Sequence, residues 1–150
     1  MDNKAIFKKI NAVAKKEKTP VHIVGGFVRD FLMKSEQKKD IDFVVVGSGL
    51  EFAKKFDKAM KEKGSLVEFP DFDTARYILG EEDKIILEFA GARAETYDPK
   101  SRKPAVKAAS LEDDLSRRDF TVNAMAVPVS AFAGLRAPSL QTIKKYAHDQ

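Results

Sequence analysis

The chain has 150 residues, 43% of them apolar and 33% charged, with a formal net charge of +4 and no cysteine. That composition suits one domain able to bury a core, and no run approaches the roughly 18 apolar residues of a membrane span. The charged N-terminus lacks a secretory signal's apolar stretch and cleavage site, and the lack of cysteine fits a reducing compartment, so a cytoplasmic location is expected.

The first 18 residues hold six lysines (Lys4, Lys8, Lys9, Lys15, Lys16, Lys18) against Asp2 and Glu17, a surplus of four that accounts for the whole net charge. Ile6, Phe7, Ile10, Val13 and Ala14 recur at helical spacing and predict an amphipathic helix from Asn3 to Lys16. Its lysines then read first as a solvated face, with contact to nucleic-acid phosphates as the other reading. Val21–Val24 predicts a short buried strand broken by Gly25-Gly26, and Phe27–Met33 a short helix. Ile41–Val46 is a β-branched strand, followed by a turn at Gly47-Ser48-Gly49 and an amphipathic helix over Leu50–Lys63 that Gly64 ends. Strands follow at Leu66–Phe69, Thr74–Leu79 and Lys84–Phe89, the last two joined by a hairpin-like turn at Gly80–Asp83.

Gly91–Ala109 is polar, contains Pro99 and Pro104, and reads as a mobile loop. Ser110-Leu111-Glu112-Asp113 carries the spacing of a helix start. A short helix to about Ser116 should follow, and Thr121–Val127 suits a strand or a helix. No internal repeat is present. The order α-β-α-β-α-β-β-β-α describes a mixed α+β domain, helices covering a small sheet.

Asp40 and Asp42 stand out because aspartate is depleted in strands and residues two apart share a face. Two like charges aimed at one point repel unless a cation lies between them. Hard oxygen donors of this kind suit Mg²⁺, and two such ions about 4 Å apart clamp an in-line displacement at phosphorus. Alone, the pair could be a surface turn after Lys38-Lys39. Gly25-Gly26 strengthens the reading, since glycines between a strand and a helix leave backbone amides open to an anion. A dinucleotide fingerprint is excluded, because "GGFVRD" lacks the G-x-G-x-x-G spacing, and no G-K-[ST] loop occurs. His22, inside a strand, and His148, in the tail, read as non-catalytic.

Three segments in order, "GGFVRD" (Gly25–Asp30), "DIDFVV" (Asp40–Val45) and "RRDFTVNAMA" (Arg117–Ala126), with "EFAGARAETYD" between them, resemble one family. It is the head domain shared by class II tRNA nucleotidyltransferases (CCA-adding enzymes) and bacterial poly(A) polymerases, and the resemblance spans Val21–Ala126. It implies a polymerase-β-like nucleotidyltransferase fold. Asp40 and Asp42 would be the metal-binding carboxylates of a two-Mg²⁺ site, with Glu88 a third acidic catalytic residue. Gly25, Gly26 and Arg29 would hold the triphosphate of ATP or CTP, and Asp30 would pair with a nearby arginine. Arg118, Asp119 and Asn123 would touch triphosphate and ribose; without the resemblance Arg117-Arg118 would read as a solvated helix end.

The implied reaction is attack of an RNA 3′-hydroxyl, such as a tRNA 3′ end, on the α-phosphorus of a nucleoside triphosphate. The head would occupy residues 1–127, and 128–150 a weakly structured tail unlike the family's continuation. The neck, body and tail domains that read the base and grip RNA would be missing. A fragment with poor base selection is therefore expected. A non-catalytic nucleotide- or RNA-binding remnant, or a minimal nucleotidyltransferase acting on a protein or small molecule, are the alternatives.

Overall fold

A computed structural model describes residues 1–36, 39–61, 63–96, 100, 105–117, 124–134 and 144–145. Helix α1 (Asn3–Glu17) begins where the Asp2 carboxylate accepts a hydrogen bond from the Ala5 amide (2.7 Å), an N-cap. It buries the Ile6, Phe7, Ile10, Val13 and Ala14 face that the spacing predicts. Strand β1 (Val21–Val24) leads to α2 (Gly26–Leu32), then β2 (Asp40–Val45) and α3 (Gly49–Ala59). Next come β3 (Ser65–Phe69), a 3₁₀ turn at Pro70–Phe72, β4 (Thr74–Leu79) and β5 (Ile85–Gly91). The chain continues through β6 (Arg93–Thr96), β7 (Ala105–Ala108), α4 (Leu111–Ser116), β8 (Met125–Pro128), α5 (Val129–Ala133) and β9 (Lys144–Lys145).

Seven strands form one mixed sheet in the order β3-β4-β5-β2-β1-β8-β9, and β6 and β7 pair as a separate ribbon. β2 and β5 run parallel, because α3, β3 and β4 lie between them in sequence; the other neighbours are antiparallel. The alternation of strand side chains gives the sheet two unlike faces. Ile23, Ile41, Phe43, Ala75, Tyr77, Leu87 and Phe89 join one core with residues of α1, α2, α3 and α5. Phe43 stacks on Phe89 with ring centroids 5.0 Å apart, and Phe56 meets Tyr77 edge-on at 5.2 Å. Burying each such ring stabilises the fold by about 1.5–3 kcal/mol.

The opposite face holds a smaller cluster, in which Leu111 and Leu115 of α4 cover Val24, Val44 and Ala126. The part of that face beside α4 carries the polar residues described below. No helix among the described residues is long and apolar enough to cross a membrane.

Two sequence expectations differ from the structure. The stretch read as a mobile loop contributes β6 and β7, paired from Arg93↔Ala108 to Thr96↔Ala105. The tail read as weakly structured begins with α5, whose Phe132 packs against Phe7, Phe27 and Phe31 at centroid distances of 5.0–5.7 Å. Both elements are short and gain their stability from partners distant in sequence, which local periodicity does not register.

Candidate active site

Strand pairing draws the candidate residues into one row. Val24 lies opposite Asp42, Asp42 opposite Glu88, and Glu88 opposite Arg76, so β1, β2, β5 and β4 each contribute one residue to the same face. Neighbouring strands are about 4.8 Å apart. Asp40 projects from that face one step earlier on β2, opposite Ile86. Both aspartates are exposed and Glu88 is half-buried. Beside Asp40, Lys39 is ion-paired with Asp83 of the β4–β5 turn.

β1 ends at Gly25, whose φ of 71° and ψ of −143° are unfavourable for any residue with a side chain. A Cβ there would stand 3.2 Å from Asp42 Oδ2, so the missing side chain lets the turn close over the aspartate. Gly26 opens α2, whose buried Asp30 takes two bonds from Arg29, at 2.9 Å from Nε and 2.8 Å from the terminal nitrogen. Asp30 is thus paired as expected, and its partner is the arginine that the resemblance assigns to the triphosphate.

Arg76 Nε donates to Glu88 Oε2 at 2.6 Å. Glu88 raises the guanidinium above its ordinary pKa, first through that bond and then through its charge, with Asp42 and Asp40 adding from across the row. The second wall comes from α4. Asp114, 1% exposed, accepts from the Arg93 amide (3.0 Å) and from an Arg117 terminal nitrogen (3.1 Å), while Arg117 Nε donates to the Arg93 carbonyl (3.2 Å). The α4 start is the capping box its sequence predicts, with Ser110 and Asp113 bonded reciprocally. Arg117 is thus a half-buried arginine clipped to a buried carboxylate, rather than a solvated helix end.

Between these walls lies a cavity of about 220 Å³ bordered by Asp42, Glu88, Thr74, Arg93 and Arg117. A neighbouring cavity of about 230 Å³ shares Thr74, Glu88 and Arg93 with it and adds Phe69, Phe72 and Arg76. A larger one, about 340 Å³, lies at the far end of β1 beside Lys15, Lys18 and His22, with no carboxylate among the described residues that line it. The smaller pair gathers the carboxylates and guanidinium groups of the row and of α4, so volume is a poor guide here.

The structure therefore brings Gly25, Asp42 and Glu88 together, with Asp40 beside them. Arg118, Asp119 and Asn123 lie outside the described residues. Thr74, Arg76 and Arg93 were not singled out from the sequence, and Arg117 was weighed there only as part of Arg117-Arg118, without a site role of its own. The turn read from the sequence, Gly80–Asp83, would set Arg76 opposite Leu87; the observed connection is one residue longer, pairs Leu79 with Ile85 and so brings Arg76 opposite Glu88. Among the described residues no group of three or more His, Cys, Asp or Glu side chains converges as a metal cluster. Asp40 and Asp42 still offer the hard oxygen donors that a Mg²⁺ sharing a phosphate ligand requires.

The sequence profile of the poly A polymerase head domain matches residues 21–135. The A-adding tRNA nucleotidyltransferase of Aquifex aeolicus (strain VF5) is 48% identical over 109 residues, covering 73% of this chain and 12% of that protein. A crystal structure of a tRNA nucleotidyltransferase complexed with a primer tRNA and an incoming ATP analog superposes with a TM-score of 0.66 at 38% identity, over 91% of this chain and 34% of that one. An apo form of a CCA-adding enzyme gives 0.72 at 35% identity, over 86% and 30%. The chain thus spans about a third or less of each of these proteins.

Proposed function

Because the chain belongs to the poly A polymerase head domain family, we propose that it transfers a nucleoside monophosphate from ATP or CTP to the 3′-hydroxyl of an RNA, a tRNA end above all. The observation that carries this reading is the row from Val24 through Asp42 to Glu88, with Gly25 closing over Asp42, beside a cavity walled by Arg93 and Arg117. Gly25 and Gly26 would admit the triphosphate close to the backbone, and Asp40 and Asp42 would hold Mg²⁺. Two such ions, when bound, lower the hydroxyl's pKa and offset the charge of the triphosphate.

The chain's own residues orient the reactants. Arg93 and Arg117 supply fixed guanidinium charge toward phosphate oxygens, and Arg29, Arg118, Asp119 and Asn123 would complete the nucleotide contacts. Glu88, steadied by Arg76, faces the incoming hydroxyl. The new bond joins the 3′-oxygen to the α-phosphorus as the α–β bridging bond breaks. Pyrophosphate leaves with the bonding pair, and the hydroxyl proton passes to water.

Base selection should be weak, because the described cavity residues address phosphate and hydroxyl groups rather than a base edge. With Mg²⁺, a tRNA lacking its CCA end should be extended slowly and without strict order by C and A. Ordered C-C-A addition would contradict weak selection, and failure to bind Mg²⁺-nucleotide would remove the whole reading. A nucleotide-binding domain that does not transfer draws on one observation, the engagement of Glu88 by Arg76. It predicts Mg²⁺-dependent ATP binding that Asp42→Ala abolishes, with no extension under any condition.

A further inference from the structure

The cleft does not stop at Glu88. Beyond it, Arg76 of β4 lies against Phe69 of β3, its guanidinium carbon 5.5 Å from the ring centroid. Phe72 stands beside them in the 3₁₀ turn, 56% exposed, although a phenylalanine gains more from burial than almost any residue. Its mount is firm. Asp73, at φ 46°, accepts from Ser48 Oγ (2.6 Å) and from the Gly49 and Leu50 amides (3.2 Å each) at the start of α3. Its carbonyl also accepts from the Gly91 amide (3.1 Å). An exposed aromatic ring and a planar guanidinium, held rigidly beside a reactive cavity, form a surface for a flat ligand.

In-line displacement decides which ligand. Entering oxygen and leaving pyrophosphate must lie on opposite sides of the phosphorus. If the triphosphate rests over Gly25 and Gly26 at the β1 side of Asp42, the hydroxyl arrives from the β5–β4–β3 side. We propose that Phe72, with Phe69 and Arg76, is the platform on which the 3′-terminal base of the acceptor RNA stacks. Aromatic and guanidinium faces are the groups that hold unpaired bases without reading their sequence. This assignment rests on the nucleotidyl-transfer reading and adds its acceptor side.

The test uses the full chain with two probes: Mg²⁺ with a fluorescent ribose-labelled ATP, and a short single-stranded RNA ending in 2-aminopurine. The wild type should bind both and quench the 2-aminopurine. Phe72→Ala should weaken RNA binding roughly five- to a hundredfold, the range of one stacked base, and leave labelled-ATP affinity within twofold. Phe72→Trp should keep both. The exposed turn tolerates either change, and retained ATP binding reports the fold. If RNA affinity or quenching is indifferent to Phe72, or if no RNA binds while ATP does, the platform is wrong. If Phe72→Ala weakens ATP equally, the residue serves the donor side or the fold and the proposal fails. No ATP binding by the wild type overturns the nucleotidyl-transfer reading, and the platform with it.

Discussion

Gly25 and Asp42 form a single unit, because the turn that ends β1 closes over the aspartate so tightly that a Cβ would lie only 3.2 Å from its Oδ2. Gly25→Ala meets two costs, a backbone conformation near the glycine-only region and pressure on Asp42 Oδ2. Destabilisation of about 1–3 kcal/mol is expected, visible as a lower urea midpoint, together with weaker Mg²⁺-ATP binding. Asp42→Asn separates charge from shape. It removes one of the three carboxylate charges, Asp40, Asp42 and Glu88, on a single face, so the urea midpoint should hold or rise slightly. Binding of ATP should lose its response to Mg²⁺, which isothermal titration with and without the ion would read. A variant that still responds to Mg²⁺ at wild-type strength would take Asp42 out of the metal site.

Among the elements, α3 carries the clearest local design. Its N-terminus receives the Asp73 carboxylate, a negative charge where the helix dipole favours one. Asp73→Ala should cost about 2–3 kcal/mol, as charge-assisted bonds and a left-handed backbone preference are lost together. Gly91→Ala should act on the same turn, since a Cβ would overlap Asp73 Oδ2 and come within 2.8 Å of the Gly47 carbonyl. Both read out as urea midpoints. The α1–α3 contact has a pH signature of its own. Lys55 donates to Glu17 at 2.6 Å and lowers its pKa below the usual 4.5, chiefly through that bond. A depressed carboxyl contributes stability above its unfolded value and loses it as pH falls through the folded one. The melting-temperature gap between wild type and Lys55→Met should therefore be small at pH 7, given the pair's exposure, and should shrink as pH falls below 4.5 and Glu17 protonates.

Across the molecule, what the sequence discloses follows from the range of the forces involved. α1, α3, β2 and the β4–β5 hairpin are legible because their apolar residues repeat with the period of the element that buries them. The aspartate pair is legible for the converse reason, two charges where the period demands otherwise. The anchoring of Arg117 was not legible because its partner, Asp114, is an ordinary helix residue until α4 docks on β6 and buries it. α5 escaped because five residues carry too little period, and its stability lies in Phe132 meeting rings from α1 and α2. That contact reaches the site, since α2 starts at the glycine turn and offers Phe27 and Phe31 to Phe132. Phe132→Ala should therefore act on the whole fold, not on a loose tail. A half-buried ring removed from such a cluster costs about 2–3 kcal/mol, somewhat below a full core deletion. At about 2–4 °C per kcal/mol for a chain of this size, the melting temperature should fall roughly 5–10 °C. Scanning calorimetry decides between this and an ornamental α5, for which the temperature would not move.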